Sequence, residues 1–259
     1  MQKKPDLIEF VQNMSISFPK YAYQDLRESF RGSDNDGSLI LKSGEEQTVI
    51  SDKSLISFVS QVSAENRADI LESTLLAQLG AKAKVTDDND VIGWYKSYID
   101  ILSHLGWTVE GGEVEKFKSN GSVLELEGVI IDILTTAFGA SFVKIIKNVL
   151  DGIKKLGDGN GKITAFESNT HYSRNGSFQL GVATQANGAV SFNIGTFLIT
   201  TEEKIKHILF VKFKNESTEL KYAASKLTLD QNIYAVIRAE VKAKLSVNSL
   251  KYVAELPTV

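Results

Sequence analysis

Apolar residues recur at helical spacing in the middle of the chain. Between residues 121 and 157 they return at three- and four-residue steps in two runs, which Gly139 separates. This spacing gives each run a wide apolar face and predicts two amphipathic helices joined at the glycine. Helices of this apolarity are expected to be covered on most sides in a folded protein, or held in reserve for a membrane. The apolar positions are Val123, Leu126, Val129, Ile130, Ile133, Leu134 and Phe138, then Phe142, Ile145, Ile146, Val149, Leu150 and Ile153.

The chain before this pair is predicted to be mainly helical. Proline suits the first turn of a helix and Ser or Asp side chains cap helix starts, so these residues mark candidate beginnings. The run 86–90 places acids before a helix, where the helix dipole favours negative charge. Predicted helices cover residues 5–14, 21–31, 51 or 52 to 62, 63 to about 79, and 91–105, with a turn cluster at 32–37 and a small hairpin of 39–42 with 47–50.

After residue 173 the period of the apolar positions changes from helical to strand-like. Asn187-Gly188 predicts a hairpin, because a type I′ turn needs a positive φ at both central residues. If Ala186 faces Ala189, the register of the whole hairpin follows. Phe178, Leu180 and Val182 then oppose Phe197, Gly195 and Asn193 on one face, and Gly181, Ala183 and Gln185 oppose Ile194, Phe192 and Val190 on the other.

The remaining pattern completes an α+β prediction. A second hairpin is expected from residues 208–214 and 219–226, and Asp230 is expected to cap a last helix. The result is an antiparallel sheet of about four main strands with helices on both faces, in three layers. Because such a sheet needs the N-terminal helices over it, we expect one domain spanning 1–259, with a helical half 1–157 and a strand-rich half 170–259.

Composition excludes several classes of function. The net charge of −3 argues against a nucleic-acid partner, which requires a basic face. The absence of cysteine removes disulfides, thiolate metal sites and cysteine nucleophiles. Residues 129–146 are interrupted by Asp132 and Lys144 and fall short of the roughly 20 residues that a bilayer requires. The N-terminus lacks a signal-peptide pattern, so we expect synthesis in the cytoplasm and export, if it occurs, without a leader.

Residues 156–167 partly match the calcium-binding loop of an EF-hand. Asp158 and Asn160 fall at the third and fifth loop positions and Glu167 at the bidentate twelfth. Leu156 stands at the first position, where calcium needs an oxygen ligand. We therefore expect a helix end and a Gly/Asn turn here, with no tightly held calcium.

Catalytic motifs are not evident in the sequence. The three histidines form no spaced metal motif, and no nucleophile elbow or phosphate loop is present. His171, near Glu167 and Ser173, leaves a hydrolase as an alternative, but adjacency in sequence does not make a catalytic triad. We expect His171 to be an ordinary polar residue and the protein to be non-enzymatic, with no metal.

The order of several segments resembles the bacterial virulence factor Evf family. These segments are LGW at 105–107, the helical pair, LGDGNGKITAFES at 156–168, NGSFQLGVA at 175–183 and a strand-rich tail that ends in a helix. The resemblance covers residues 100–245, and the architecture is more distantly similar to Cyt-like cytolytic toxins. It implies a virulence or toxin-like protein with a buried fatty acid on a central cysteine. This chain lacks that cysteine, so covalent acylation is excluded, and Val182 or Ala183 would occupy the position.

Two predictions of function follow from the helical pair and the resemblance. The first is a non-enzymatic virulence or toxin-like protein that acts at a membrane, with the helical pair as the moving part. The second is a lipid carrier that holds a fatty acid without a covalent bond, with a protein-interaction module as a further alternative. The membrane-interacting residues are then Ile130, Ile133, Leu134, Phe138, Phe142 and Ile146. The lipid-binding residues are Leu180, Gly181, Val182, Ala183, Ile194 and Gly195, because glycines opposite large residues leave room in a sheet.

Overall fold

The computed structural model describes residues 4–19, 41–119, 121–156, 160–172, 174–245 and 252–256. The helices are α1 (Lys4–Asn13), α2 (Ala64–Lys84), α3 (Val91–His104), α4 (Leu126–Phe138), α5 (Ala140–Leu156), α6 (Gly161–Thr170) and α7 (Gln231–Leu245). The strands are β1 (Gln47–Ser51), β2 (Ser54–Phe58), β3 (Trp107–Gly111), β4 (Glu115–Lys116), β5 (Val123–Glu125), β6 (His171–Tyr172), β7 (Asn175–Ala186), β8 (Ala189–Thr201), β9 (Lys212–Lys214), β10 (Thr218–Leu229) and β11 (Val253–Glu255).

One sheet organises the molecule, and it is larger than the sequence predicts. It has nine strands, in the order β11-β1-β2-β7-β8-β10-β3, with β4 on β10 and β6 on β7. The prediction of about four main strands is wrong in number, because short strands from both ends of the chain extend the central ones. Its neighbouring strands run antiparallel except β2 and β7, which are parallel.

The central hairpin of β7 and β8 is confirmed residue by residue. Asn187 and Gly188 have φ values of 51° and 81°, as a type I′ turn requires. Ala186 pairs with Ala189, and every predicted pair up to Phe178 with Phe197 is present. The turn chemistry and the alternation of side chains were therefore enough to define twelve paired positions on each strand.

Both faces of the sheet are covered, which confirms the three-layer prediction. Helices α1, α2, α3 and α7 pack on one face, which we call the four-helix face. Helices α4, α5 and α6 pack on the other, which we call the hairpin face. Alternate side chains of β7 and β8 point to opposite faces of the sheet. Phe178 and Phe197 lie on the hairpin face, and Phe192 and Ile194 lie on the four-helix face.

The region after β1 differs from the prediction. A helix was expected from residue 51 or 52 to 62, but residues 54–58 form β2, which pairs with β1 through the tight turn at Asp52 and Lys53. Each β2 residue is buried, and a short apolar run of this kind suits a buried strand or a helix equally well. Of the predicted hairpin of 39–42 with 47–50, the second strand is present as β1, but it pairs with β2 and β11. Residues 41–42 are not in a strand, and residues 39–40 lie outside the described residues.

The expected second hairpin, of residues 208–214 with 219–226, is wrong in its first strand. Residues 212–214 form β9, which leaves the main sheet and pairs with β5 in a separate two-stranded sheet. β10 pairs with β8 instead, over its full length from Thr218 to Leu229. Because β5 leads directly into α4, this pairing places β9 next to the start of α4.

The other predicted helices are confirmed close to their expected ends. Ser63 caps α2, Asp90 caps α3, and Asp230 accepts hydrogen bonds from the first backbone N–H groups of α7. Side-chain acceptors at these positions satisfy N–H groups that a helix start leaves open. The predicted helix 21–31 and the turn cluster 32–37 lie outside the described residues.

Candidate functional site

Helices α4 and α5 form an antiparallel pair, which we call the helical hairpin, over the hairpin face. Its tip is the break at Gly139, whose φ of 86° is a value that favours glycine. The rings of Phe138 and Phe142 lie 4.7 Å apart across this tip. Its base is the opposite end, where Lys154 of α5 lies 2.6 Å from Glu127 of α4. The predicted pair of helices joined at Gly139 is therefore confirmed.

The structure brings the predicted membrane-interacting residues together on one face of the helical hairpin. That face points at the sheet and not at solvent. Phe138, at the tip, is only half-buried. The other five are buried among the hairpin-face residues: Ile130, Ile133, Leu134, Phe142 and Ile146. The membrane role assigned to them stays a prediction, and in this conformation the six residues hold the helices on the sheet.

The outer side of the hairpin is polar and carries a basic edge. Lys144, Lys147, Lys154 and Lys155 are exposed along α5. The ammonium of Lys154 also lies 5.2 Å from the centre of the Phe210 ring. An apolar inner face with a cationic rim is the arrangement found in helices that lie on anionic lipid surfaces.

The base of the hairpin is fastened by several polar contacts. β5 leads into α4 and pairs with β9, with Leu124 opposite Phe213. The backbone N–H of Leu126 donates to the carbonyl of Val211 at 3.2 Å. Lys212 of β9 lies 2.6 Å from Glu125. The base is therefore tied to the rest of the chain by backbone hydrogen bonds as well as by surface charges.

Val123 is the exception within the apolar pattern of this region. The sequence placed it on the apolar face of the first helix, but it belongs to β5, and α4 begins only at Leu126. Among the described residues it is the large apolar side chain that stands out as exposed, at 51%. The regular spacing continued past the true helix start, because a strand residue happened to fall at a helical interval.

The predicted lipid-binding residues do not share one surface. Leu180 and Val182 lie on the hairpin face, but Ala183 and Ile194 lie on the four-helix face. A side chain on Gly195 would meet Leu134, at 2.5 Å from its Cδ2 atom, and one on Gly181 would meet the ring of Phe192. The space that each glycine leaves is therefore filled by a neighbouring side chain.

Of the residues of the hydrolase alternative, the structure describes Glu167 and His171. The Glu167 carboxylate lies 3.3 Å from Nδ1 of His207, which comes from a distant part of the chain. Burial lowers the pKa of His171, which starts β6. Ser173 lies outside the described residues. Glu167 therefore pairs with a histidine that the sequence analysis did not associate with it.

The segment that resembles a calcium loop is largely helical. Asn160 caps α6 by accepting a hydrogen bond from the backbone N–H of Lys162 at 3.1 Å. The helix then runs from Gly161 through Glu167, the positions where an EF-hand loop supplies its last ligands. In the described part of the chain no three His, Asp or Glu side chains come together as a metal site would require.

The sequence analysis missed a polar cluster beneath the β1–β2 turn. The Lys53 ammonium donates to the Ser177 hydroxyl at 3.0 Å and lies 5.0 Å from the centre of the Trp94 ring. Burial lowers the pKa of Lys53 and raises that of its neighbour Asp52 to about 6. No sequence motif identifies this cluster, because its members come from distant segments: the β1–β2 turn, α3 and β7.

The same cluster continues across the sheet as a row of buried polar side chains. Ser54 donates to the side-chain carbonyl of Gln179 at 2.7 Å, and the Gln179 amide donates to the Thr196 hydroxyl at 3.1 Å. These three residues occupy neighbouring positions on β2, β7 and β8. Buried polar groups that satisfy one another fix the alignment of strands. The arrangement is therefore a device that sets strand register.

None of the helices in the described part of the chain combines the length and the apolarity that a membrane crossing requires. Helix α4 has 13 residues and α5 has 17. At 1.5 Å per residue, α4 is about 20 Å long, compared with about 30 Å for a hydrocarbon core.

No protein-family model matches the chain, and no curated protein sequence matches it. Solved structures that are similar to it include the following three. A delta-endotoxin has a TM-score of 0.42 at 12% identity, covering 77% of this chain and 88% of the toxin. The activated Cyt2Ba monomer of Bacillus thuringiensis subsp. israelensis has a TM-score of 0.31 at 15% identity, covering 59% and 92%. The Evf virulence factor has a TM-score of 0.31 at 12% identity, covering 88% of each chain.

The resemblance to the Evf family and to Cyt-like toxins is thus shown at low identity and low TM-score, without a ranking of the toxins as more distant. By their own descriptions, one matched structure is a delta-endotoxin and one is a virulence factor. Similarity at these identities and scores carries no residue roles to this chain. The proposal of a function therefore rests on the helical hairpin of this chain, on its apolar inner face and its exposed lysines.

Proposed function

We propose that the protein is a non-enzymatic, toxin-like virulence protein that acts at a membrane, and that the helical hairpin is the part that leaves the sheet. The observation that carries the proposal is the construction of this hairpin. Its two helices place a continuous apolar surface against the sheet and a row of lysines toward solvent. A unit of this kind can exchange the sheet for the interfacial region of a bilayer without exposing its apolar face to water.

The energetic cost of that exchange falls on the sheet. When the hairpin leaves, Phe178, Phe197 and Leu180 lose the cover of α4 and α5. Burying one such side chain is worth about 1.5–3 kcal/mol, so the exposed sheet must meet lipid as well. We therefore expect dissociation only at a membrane, with the closed form dominant in solution.

The test is release of a trapped dye from vesicles of phosphatidylcholine alone and of phosphatidylcholine mixed with phosphatidylglycerol. We expect release, and more from the anionic vesicles because of the lysine edge. The absence of cysteine makes a cross-linking test clean. Leu134→Cys with Gly195→Cys is the pair chosen to join α4 to β8, because Cδ2 of Leu134 lies 2.5 Å from where a Cβ on Gly195 would be, so the two positions face each other.

The oxidised double variant is expected to release no dye, and reduction is expected to restore release. Circular dichroism of both forms checks that the fold is intact. Wild-type protein that releases dye from neither vesicle at any pH tested would refute membrane action. Equal release by the oxidised and reduced forms would show that the hairpin does not need to move.

A buried fatty-acid site is the second part of the proposal. Leu180, Val182 and Gly195 form an apolar floor beneath α4. An acyl chain would reach this floor only if Leu134 moves away, so lipid binding and hairpin movement would be coupled. Mass spectrometry of an organic extract of the purified protein tests this part, and an extract without lipid after incubation with palmitate would refute it.

A further inference from the structure

We infer that the helical hairpin enters a bilayer by its Gly139 tip and stays attached to the protein by its β5–β9 base, so that only one leaflet is penetrated. This inference rests on the proposed function and specifies which end of the hairpin moves. It follows from two differences between the two ends, in their charge and in their contacts. The limit to one leaflet follows from the length of the helices, since the 13 residues of α4 span about 20 Å and a hydrocarbon core is about 30 Å thick.

The first difference is charge. Residues 133–143, which surround the tip, contain no charged side chain. Asp132 and Lys144 border this segment, and both are exposed. Along a helix the distance from Gly139 back to Asp132 is about 10 Å. Amphipathic helices bury their apolar face about 5–10 Å into the boundary between headgroups and acyl chains, so the border charges would then lie among the headgroups.

The second difference is in the contacts that must break. In the part of the chain that the structure describes, no hydrogen bond or ion pair joins residues 133–143 to another element. Thr135 and Thr136 satisfy their hydroxyls on carbonyls within α4, at 2.7 and 3.0 Å. The tip is therefore held by apolar packing, such as that of Leu134 over Gly195. Lipid tails are as apolar as leucine, so the apolar face of the tip itself loses little when lipid replaces the sheet, and the cost that remains is that of the uncovered sheet.

The base is held in a different way. Moving it into lipid would break the β5–β9 backbone pairing and the bond from Leu126 to Val211. It would also strip water from Glu127 and Lys154, and from Glu125 and Lys212, all of which are charged. Surface ion pairs contribute only about 0–1 kcal/mol each in water, but unpaired backbone groups in hydrocarbon cost several kcal/mol each. The base therefore acts as a pivot.

Two serines at opposite ends of the hairpin provide a matched test. Ser141 is exposed at the tip, and Ser122 is exposed directly before β5 at the base. Each is changed to cysteine in the full chain, which has no other cysteine, and labelled with an environment-sensitive fluorophore. Vesicles of phosphatidylcholine mixed with phosphatidylglycerol are then added, with and without lipids that carry a quencher at a shallow or a deep acyl position.

We expect the Ser141→Cys probe to shift to the blue, to gain intensity severalfold and to be quenched by the shallow quencher more than by the deep one. The Ser122→Cys probe is expected to keep its aqueous spectrum. Dye release with both probes shifted, with only the Ser122→Cys probe shifted, or with neither shifted would overturn the pivot while leaving membrane action in place. Absence of dye release in all variants would refute the proposed function itself.

A cross-link at the base gives an independent control. Val123 and Lys214 face each other across β5 and β9, and both side chains are exposed. The oxidised Val123→Cys, Lys214→Cys variant is expected to release dye as wild type does. If β5 and β9 stay paired during membrane entry, a disulfide between them does not hinder it. Loss of release in its oxidised form alone would show that the base must open, and would contradict the pivot.

Discussion

Leu134 of α4 occupies the space that a side chain on Gly195 of β8 would need, with its Cδ2 atom 2.5 Å from the position of a Cβ there. The missing side chain lets the helix approach the centre of the sheet. Phe178 and Phe197 stack on each other beside this point, with ring centres 5.2 Å apart. The contact therefore places a fully buried residue of α4 directly on the central hairpin of β7 and β8.

A methyl group at Gly195 is expected to weaken this contact. Gly195→Ala should lower the free energy of unfolding by about 1–3 kcal/mol, because overpacking forces the Leu134 side chain out of its place. Urea unfolding followed by circular dichroism measures the change. Leu134→Ala in the Gly195→Ala background should cost less than in wild type, and strictly additive effects would show that the two residues do not compete for the same space.

Gly128 provides the matched control for that substitution. It lies on the exposed side of α4, and a Cβ there would meet nothing within 4 Å. Gly128→Ala should raise the free energy of unfolding by about 0.5–1 kcal/mol, because alanine loses less backbone freedom in a helix. Destabilisation by this change in the same urea experiment would mean that α4 is not a regular helix at this position.

The turn of the central hairpin depends on positive φ. Gly188→Ala is expected to lower the free energy of unfolding by about 1–2 kcal/mol, because Gly188 has a φ of 81° and an L side chain is strained at such values. Asn187→Gly should be nearly neutral, since Asn187 already adopts φ of 51°. Thermal unfolding of both variants separates them, and an equal loss in both would contradict a type I′ turn.

Glu72 of α2 gives the stability of the protein a dependence on pH. Burial raises the pKa of this carboxyl from 4.5 to about 7. Its Oε2 atom has no hydrogen-bond partner among the described residues, and the nearest cation, Lys242 of α7, is 4.0 Å from Oε1. The folded state holds the proton more tightly than the unfolded chain, so the free energy of unfolding falls as the pH rises from about 4.5 to about 7.

Glu72→Gln is therefore expected to stabilise the protein at pH 8, by up to about 3 kcal/mol, and to change it little at pH 4. Denaturant unfolding across this pH range measures the effect. Burial also raises the pKa of Asp52 to about 6, so the free energy of unfolding of Glu72→Gln still depends on pH in part. An unchanged slope in Glu72→Gln would show that this carboxyl is ionised in the folded protein at the same pH as in the unfolded chain.

Calcium is not expected to bind tightly between Asn160 and Glu167. The Asn160 side chain already caps α6, and the Glu167 carboxylate lies beside His207. Isothermal titration with calcium should give no binding heat at micromolar concentrations of metal, in wild type or in Glu167→Gln. Micromolar binding that Glu167→Gln abolishes would contradict this, and would require the first turns of α6 to unwind.

The sequence predicted correctly those elements whose conformation depends on a few neighbouring residues. Asn187-Gly188 defined the central hairpin, and Gly139 divided the helical hairpin, because each conformation depends on one or two residues. Strand pairing between distant segments was not predictable in this way. The sequence of β2 is as apolar as a helix turn, and its place in the centre of the sheet depends on pairing with β7, which lies more than 100 residues later, as well as with β1.

The candidate site was predicted in part for the same reason. The spacing of apolar residues identified which side chains of α4 and α5 face inward. It did not reveal that the base would be tied by β9, since that strand was expected to pair with β10. It also predicted free space at Gly195, which Leu134 fills in the structure. Which side chain fills such a gap depends on how the helices pack on the sheet, and the spacing of apolar residues does not determine this.

The parallel pairing of β2 with β7 has a consequence for how the chain is made. Leu55 lies beside Leu180, and Ile50 of β1 lies beside Ala254 of β11. On the ribosome, β1 and β2 emerge long before either of their outer partners exists, with their strand edges open. Pairing between such distant segments carries a high loop-closure cost and slows folding. β2 must therefore wait for β7, and β1 for β11, before its outer edge is paired, and a nascent chain that stops before β7 is expected to need a chaperone to avoid aggregation.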